Sequence, residues 1–266
     1  MHQAMRLRHL QGMVMQKFIK RSLILLSVLL WYPQAASALQ VKEIKARHGV
    51  RAWLVEDYHV PVVHLMIAFK NAGAASDPDG MEGRAASVAE MLLEGTTKLD
   101  GQSFNQALED GAINLDMSVS SDQFSITLHT LAENKDKAFE LMAQALHDAA
   151  FSPTKLDEVK QRIKSAIKQR ESNPEYVAES EWIKLAFPNH PYSKPVYGTQ
   201  GSIDALTIEQ LKAYRDTHLT RENMVIAVVG AIKEDEAETL IGRALSDLPE
   251  HFKPDAPIAD REISDQ

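Results

Sequence analysis

The chain is predicted to adopt an α+β fold, and three observations predict it. Strand-like and helix-like stretches are partly segregated: three strands, two helices, two strands, three helices, then helix–strand–helix. That order favours α+β over a doubly wound parallel sheet. The strand-like runs are alternating or wholly apolar, and helical stretches open at cap residues and prolines. No short-period internal repeat is present, so a repeat array is not indicated.

Val41 to Ala46 and Arg51 to Glu56 alternate around a His48-Gly49 turn and read as a hairpin. Pro61 to Phe69 is an apolar, β-rich run expected to be a buried strand, and Asn71 to Gly83, with Asp77-Pro78-Asp79-Gly80, is a loop. Gly83 to Glu94 has a helical pattern and is almost wholly apolar, so it should be buried on most sides, with Gly95 as its stop. Ser103 to Asp110 is a short helix expected to end at Gly111. Ile113 to Val119 and Gln123 to Leu131 are strands, and Glu133 to Ala149 is an amphipathic helix. Ser152-Pro153 and Asn173-Pro174 each place a cap residue before a first-turn proline, opening helices to about Glu171 and Phe187. Pro188 to Ile203 reads as extended. Thr207 with Gln210 is a capping box for a helix to His218. Asn223 to Val229 is a strand, Gly230 a turn, Glu234 to Leu248 a helix, and the polar stretch from Pro249 a linker or frayed end.

Composition removes several function classes. The chain has 266 residues, is 44% hydrophobic and 25% charged, and carries 37 acidic against 29 basic residues, a net charge of −8. General nucleic-acid binding needs a basic surface that this balance does not supply. The absence of cysteine excludes a disulfide framework, thiolate metal sites and a cysteine nucleophile.

Residues 1–38 stand apart. They hold Arg6, Arg8, Lys17, Lys20 and Arg21 and no acidic residue. An apolar run from Leu23 to Trp31 and then Ala36-Ser37-Ala38 complete the pattern of a secretory signal cut after Ala38. The alternative is an uncleaved anchor, although the run is about half the roughly 20 residues a spanning helix needs. Met13 or Met15 would give a more usual start. Removing residues 1–38 leaves 24 basic residues against 37 acidic, a net of −13. An exported, acidic, cysteine-free chain points to a bacterial periplasm, with no stable membrane span after cleavage.

No P-loop and no G-x-S-x-G elbow is present, and Gly73 and Gly80 lack dinucleotide spacing. Beyond residue 38 the histidines are His48, His59, His64, His129, His147, His190, His218 and His251, and none pairs with another one helical turn away. His59 and His64 are expected on opposite faces of one strand.

At Gly83 the sequence becomes recognisable. The run Gly83-Arg84-Ala85-Ala86-Ser87-Val88-Ala89-Glu90-Met91-Leu92-Leu93-Glu94-Gly95-Thr96 resembles the active-site helix of the insulinase/pitrilysin metallopeptidases, a family that includes mitochondrial processing peptidase. Their pattern there is roughly G-x-A-H-x-x-E-H-M-L-x-x-G-T. Phe187-Pro188-Asn189-His190-Pro191-Tyr192, with Pro195-Val196-Tyr197-Gly198-Thr199, is similar to a second family segment. Asn223 to Gly230 is similar to a third, and the resemblance runs from about Val41 to Leu248.

The resemblance implies a half-unit of that fold over residues 39–250: a mixed antiparallel sheet with helices on one face. Residues from about 192 to 250 resemble the start of the family's second conserved region, and residues 251–266 form a linker-like tail. In active relatives two histidines bind zinc, a glutamate beside the second is the general base, and a distant glutamate is the third ligand. Here those positions are Ala86, Glu90, Ala89 and Ala166 respectively. Lys164 and Lys168 make the Ala166 helix less suited to a cation. The expectation is therefore no catalytic residue, no metal and no cofactor, with Glu90 a solvated or hydrogen-bonded carboxylate at the rim of a former cleft. A displaced metal site built from Glu90, Glu94 or Glu82 is the alternative.

Some members of the family are paired chains, one with zinc and one without its ligands. The resemblance thus implies a non-catalytic partner in a heterodimer with a catalytic homologue, a peptide-binding half, or both. A zinc endopeptidase with displaced ligands and a freestanding scaffold are the alternatives. Asn114 sits where the family has an asparagine on its substrate-side edge strand, so it is the candidate peptide contact if that strand is an edge. If the strand is fully paired, Asn114 only caps a turn.

Overall fold

A computed structural model describes residues 40–255. The expected signal segment and its cut after Ala38 lie outside the described residues, as do residues 256–266 of the expected tail.

Six strands form one mixed sheet: β1 (Lys42–Lys45), β2 (Arg51–Glu56), β3 (Val62–Lys70), β4 (Asn114–Val119), β5 (Gln123–Leu131) and β6 (Met224–Gly230). Their order is β1-β2-β6-β3-β5-β4. The β2–β6 pair is parallel and every other pair antiparallel. The β1–β2 hairpin turns through a short 3₁₀ segment in which His48 and Gly49 take the left-handed conformation (φ 57° and 76°).

Alternation along each strand separates two unlike faces. Val63, Leu65, Ile67 and Phe69 of β3 point into the core with Phe124, Ile126 and Leu128 of β5. The helices cover that face, as the family resemblance implied: α1 (Arg84–Met91), α2 (Gly101–Asp110), α3 (Lys135–His147), α4 (Pro153–Glu171), α5 (Pro174–Ala186), α6 (Gln200–Ala205), α7 (Ile208–His218) and α8 (Glu234–Leu245). On the opposite face Trp53, Met66, Val225 and Val229 are exposed, so its centre is apolar.

Helix α1 is the pivot of the layer and contacts α7, α4 and β4. Ala85, Ala86, Ser87, Val88, Ala89 and Met91 are all buried, as the wholly apolar pattern predicts. Its start uses a cap supplied from the loop. Gly83 has no side chain and sits at φ 85°, a left-handed conformation that favours glycine. Asp77 therefore reaches in. Its carboxylate accepts from the N–H of Gly83 (3.0 Å) and of Ala85 (3.2 Å), satisfying donors that a helix start leaves open.

Several expectations need correction. Pro188–Ile203 is not extended throughout: Pro191–Ser193 is a 3₁₀ turn, and Thr199 with Ser202 forms a capping box that starts α6. α2 does stop at Gly111, as expected, but Gly111 keeps an ordinary helical φ and Ala112 takes the left-handed turn (φ 47°). Gly230 is the last residue of β6 rather than a turn. His59 lies ahead of β3, where its Nδ1 is 2.6 Å from the Asp57 carboxylate, so it shares no strand with His64. The stretch from Pro249 is docked on the fold as far as Asp255: the Arg221 N–H donates to Pro249 O (2.8 Å) and the Lys253 N–H to Thr217 O (3.0 Å).

Candidate functional site

The positions singled out in the sequence lie on two packed helices and one strand. Helix α1 carries Ala86, Ala89 and Glu90; α4 carries Ala166. Ala86 and Ala89 are buried and Ala166 is half-buried, while Glu90 is exposed. Small apolar side chains at these buried positions let the helices pack with no charge to desolvate.

What Glu90 faces was not anticipated. Arg162 of α4 lies one helical turn before Ala166, so both project from the same side of the helix. Its Nη2 donates to Glu90 Oε2 (3.1 Å) and to Glu94 Oε1 (2.5 Å). Lys155 of the same helix approaches the other Glu94 oxygen at 3.6 Å. Glu90 of α1, Glu94 just past its end and two cations of α4 thus form a bridge between the two segments. The group answering Glu90 is a guanidinium carried by this chain itself. Lys164, one of the flanking lysines, plays a different part: it pairs with Asp204 (2.6 Å). Arg162 was legible in principle, because a residue four before the third-ligand position shares its helix face.

Among the described residues no three histidine or acidic side chains are placed to hold a metal ion. Glu90 and Glu94 have their charge answered by cations, and Ala89, which the resemblance puts at the general-base position, is a buried alanine.

β4 is an edge strand: it pairs with β5 on one side, and no strand of the described residues lies beyond it. Leu115 and Met117 point into the core shared with α1. By alternation Asn114, Asp116 and Ser118 project to the face opposite the helices. Asn114 is therefore on the edge strand but on the opposite face from the α1–α4 cluster, and it stands directly across from His129. What β4 offers toward a partner strand is its backbone.

The strand leads to an aromatic cavity. Beyond Val119 the turn at Ser120–Asp122 meets the Pro191–Tyr197 segment, where the Tyr192 hydroxyl donates to Asp122 Oδ1 (2.6 Å). A cavity of about 210 Å³ opens between this segment and α5, lined among others by Tyr176, Ile183, Tyr192 and Tyr197. The Arg170 guanidinium lies 3.8 Å over the Tyr197 ring at its wall. The sequence reading did not single out these aromatics as a site.

Comparison with known proteins agrees with the fold. Residues 56–200 match the insulinase family, peptidase family M16, and residues 205–265 match the peptidase M16 inactive domain. The non-peptidase homolog YmxG of Helicobacter pylori is 30% identical over 232 residues, covering 87% of this chain and 53% of YmxG. The probable mitochondrial-processing peptidase subunit beta of Arabidopsis thaliana is 24% identical, covering 67% of this chain and 34% of that subunit. The crystal structure of a peptidase M16 inactive domain from Pseudomonas fluorescens superposes with a TM-score of 0.74 at 26% identity, over 82% of this chain and 54% of that one. The first half of the periplasmic protease PqqL of Escherichia coli shares the fold at a TM-score of 0.73 and 17% identity, over 84% of this chain and 51% of that one. The chain spans about half the length of YmxG and a third of the plant subunit.

Proposed function

We propose, from the premise that this chain belongs to the insulinase (M16) peptidase family, that it serves as a non-catalytic, peptide-binding half-unit beside a zinc-bearing homologue. The observation that carries the reading is the α1–α4 contact. Where the family's peptidases are expected to hold zinc and a base, this chain has Ala86, Ala89 and Ala166, and Arg162 occupies Glu90. A peptide can still add to the β4 edge, because strand addition draws on backbone hydrogen bonds and needs no metal. The aromatic cavity at the end of β4 would accept a side chain of such a peptide.

One observation supports a partner. Among the described residues the sheet face opposite the helices carries Trp53, Met66, Val225 and Val229 exposed at its centre, and an apolar surface of that kind marks a contact site. A periplasmic location is proposed from the signal-like residues 1–38. Among the described residues no helix is long and apolar enough to cross a membrane.

The test is to incubate the purified full chain with a tryptic digest of casein, with and without EDTA. The expected result is slower amide exchange along Asn114–Val119 and no new fragments. Chelator-sensitive fragments would overturn the non-catalytic reading, and unchanged β4 exchange would overturn the peptide-binding one. Sizing the chain alone and mixed with a homologue that has an intact zinc helix separates a partner from a freestanding scaffold.

A further inference from the structure

A buried cluster lies at the N-terminal end of α1, away from the exposed Arg162 bridge. The Arg84 side chain is only 6% exposed. Its Nε donates to Asp77 Oδ1 at 3.3 Å, and its Nη2 donates to Ser76 O at 3.4 Å and to Asp255 Oδ2 at 2.5 Å. The last of these comes from the docked tail. The guanidinium also lies 5.0 Å from the Tyr214 ring centroid, and that ring stacks on His218 at 4.4 Å.

His218 completes the surroundings of the Asp255 carboxylate. Its side chain is fully buried, and its Nδ1 is 2.8 Å from the Thr217 hydroxyl. Its Nε2 has no hydrogen-bond partner and lies 3.6 Å from Asp255 Oδ2. A buried cation and a buried, unpartnered ring nitrogen therefore converge on one carboxylate. That carboxylate is itself 42% exposed, so its place is reachable from solvent.

The charge balance favours a second anion. Asp77 is the other partner of Arg84, and burial pushes its carboxyl up to about 7 against the pull of Arg84 and the amide donors. A partly protonated Asp77 leaves Arg84 under-compensated, and an unpaired buried charge is costly.

We infer that Arg84 and His218 form a buried carboxylate-receiving site, filled here by Asp255, which latches the segment Pro249–Asp255 to the start of α1. Four further contacts hold the same segment down. The Arg221 and Glu222 N–H groups donate to Pro249 O and Glu250 O, the Lys253 N–H to Thr217 O, and the Phe252 N–H to the Glu222 carboxylate (2.9 Å). Phe252 also packs edge-on against His218. The latch ties the chain leaving this half-unit to the helix that carries Glu90. It does not depend on the function proposed above.

The test uses the full chain with Asp255→Ala, and Asp255→Asn as a variant of matched size. Amide exchange is read at Glu222, Phe252 and Lys253, and the His218 ring is followed by NMR during titration with sodium acetate against sodium chloride of equal ionic strength. In both variants exchange at Phe252 and Lys253 should speed up at least tenfold. Acetate, but not chloride, should move the His218 signals saturably in Asp255→Ala and leave the parent unmoved. Unchanged exchange in the variants overturns the latch, and an acetate response equal in parent and Asp255→Ala overturns the carboxylate site.

Discussion

Rebuilding the family's zinc positions tests the alignment and the part assigned to Arg162 together. The perturbation is Ala86→His, Ala89→Glu, Glu90→His and Ala166→Glu, made with and without Arg162→Gln. In the parent the Arg162 guanidinium lies 3.1 Å from the Glu90 carboxylate, one turn from Ala166 on the same helix. In the quadruple variant it loses Glu90 but stays beside the rebuilt ligands, held by Glu94. A divalent cation roughly 6 Å from a guanidinium is repelled by about 1.4 kcal/mol even at a water-like dielectric, and by about 5.5 kcal/mol at an effective value near 20. The smaller figure is about tenfold in affinity. The quintuple variant should therefore bind zinc at least about tenfold more tightly than the quadruple one. The assay is competition against a chelating dye, with stoichiometry by elemental analysis and folding checked by circular dichroism. Equal zinc affinity in the two folded variants would refute the role given to Arg162. Failure of the folded quintuple variant to bind one zinc would refute the placement of Ala86, Glu90 and Ala166 on the ligand positions.

Two further outcomes follow from buried groups. Burial and the Arg84 charge hold His218 down at about 4, so between pH 4 and 6.5 the unfolded chain binds a proton there that the folded chain does not. This contribution rises with pH, by about 3 kcal/mol over the window. Asp77, raised to about 7, acts in the opposite sense, since the fold keeps a proton the unfolded chain releases above about 3.8. In urea titrations the stability advantage of the parent over His218→Gln should therefore grow as pH rises from 4 to 6.5, and a constant difference would contradict the assignment. Gly198→Ala should cost roughly 2–4 kcal/mol in the same titration. Gly198 sits at φ +73°, and an added Cβ would lie 2.1 Å from Glu82 O. A loss below about 0.5 kcal/mol would mean this backbone contact relaxes freely.

The sequence by itself determined the elements and the family resemblance. Periodicity placed all six strands and the long helices, because apolar alternation and cap residues are local signals that tertiary contacts reinforced. Ala86, Glu90 and Ala166 could be read as substituted ligands, and Ala89 as a substituted base, because the flanking landmarks resemble the family's. Boundaries failed where the deciding partner was distant. Gly83 lacks a capping side chain, and only the folded loop brings Asp77 to its amide. The tail read as a linker because it is polar, yet its anchors are the carbonyl of Thr217, the carboxylate of Glu222 and the guanidinium of Arg84.

Tertiary structure alone decided what answers the charges of Glu90 and Arg84. Nothing local ties Arg162 to Glu90 or Arg84 to Asp255, which are 72 and 171 residues apart in the chain. It also decided that β4 is the sheet's edge and that Asn114 faces away from α1. Strand order and facing depend on how distant segments pair, and hydropathy along one strand does not encode its neighbour.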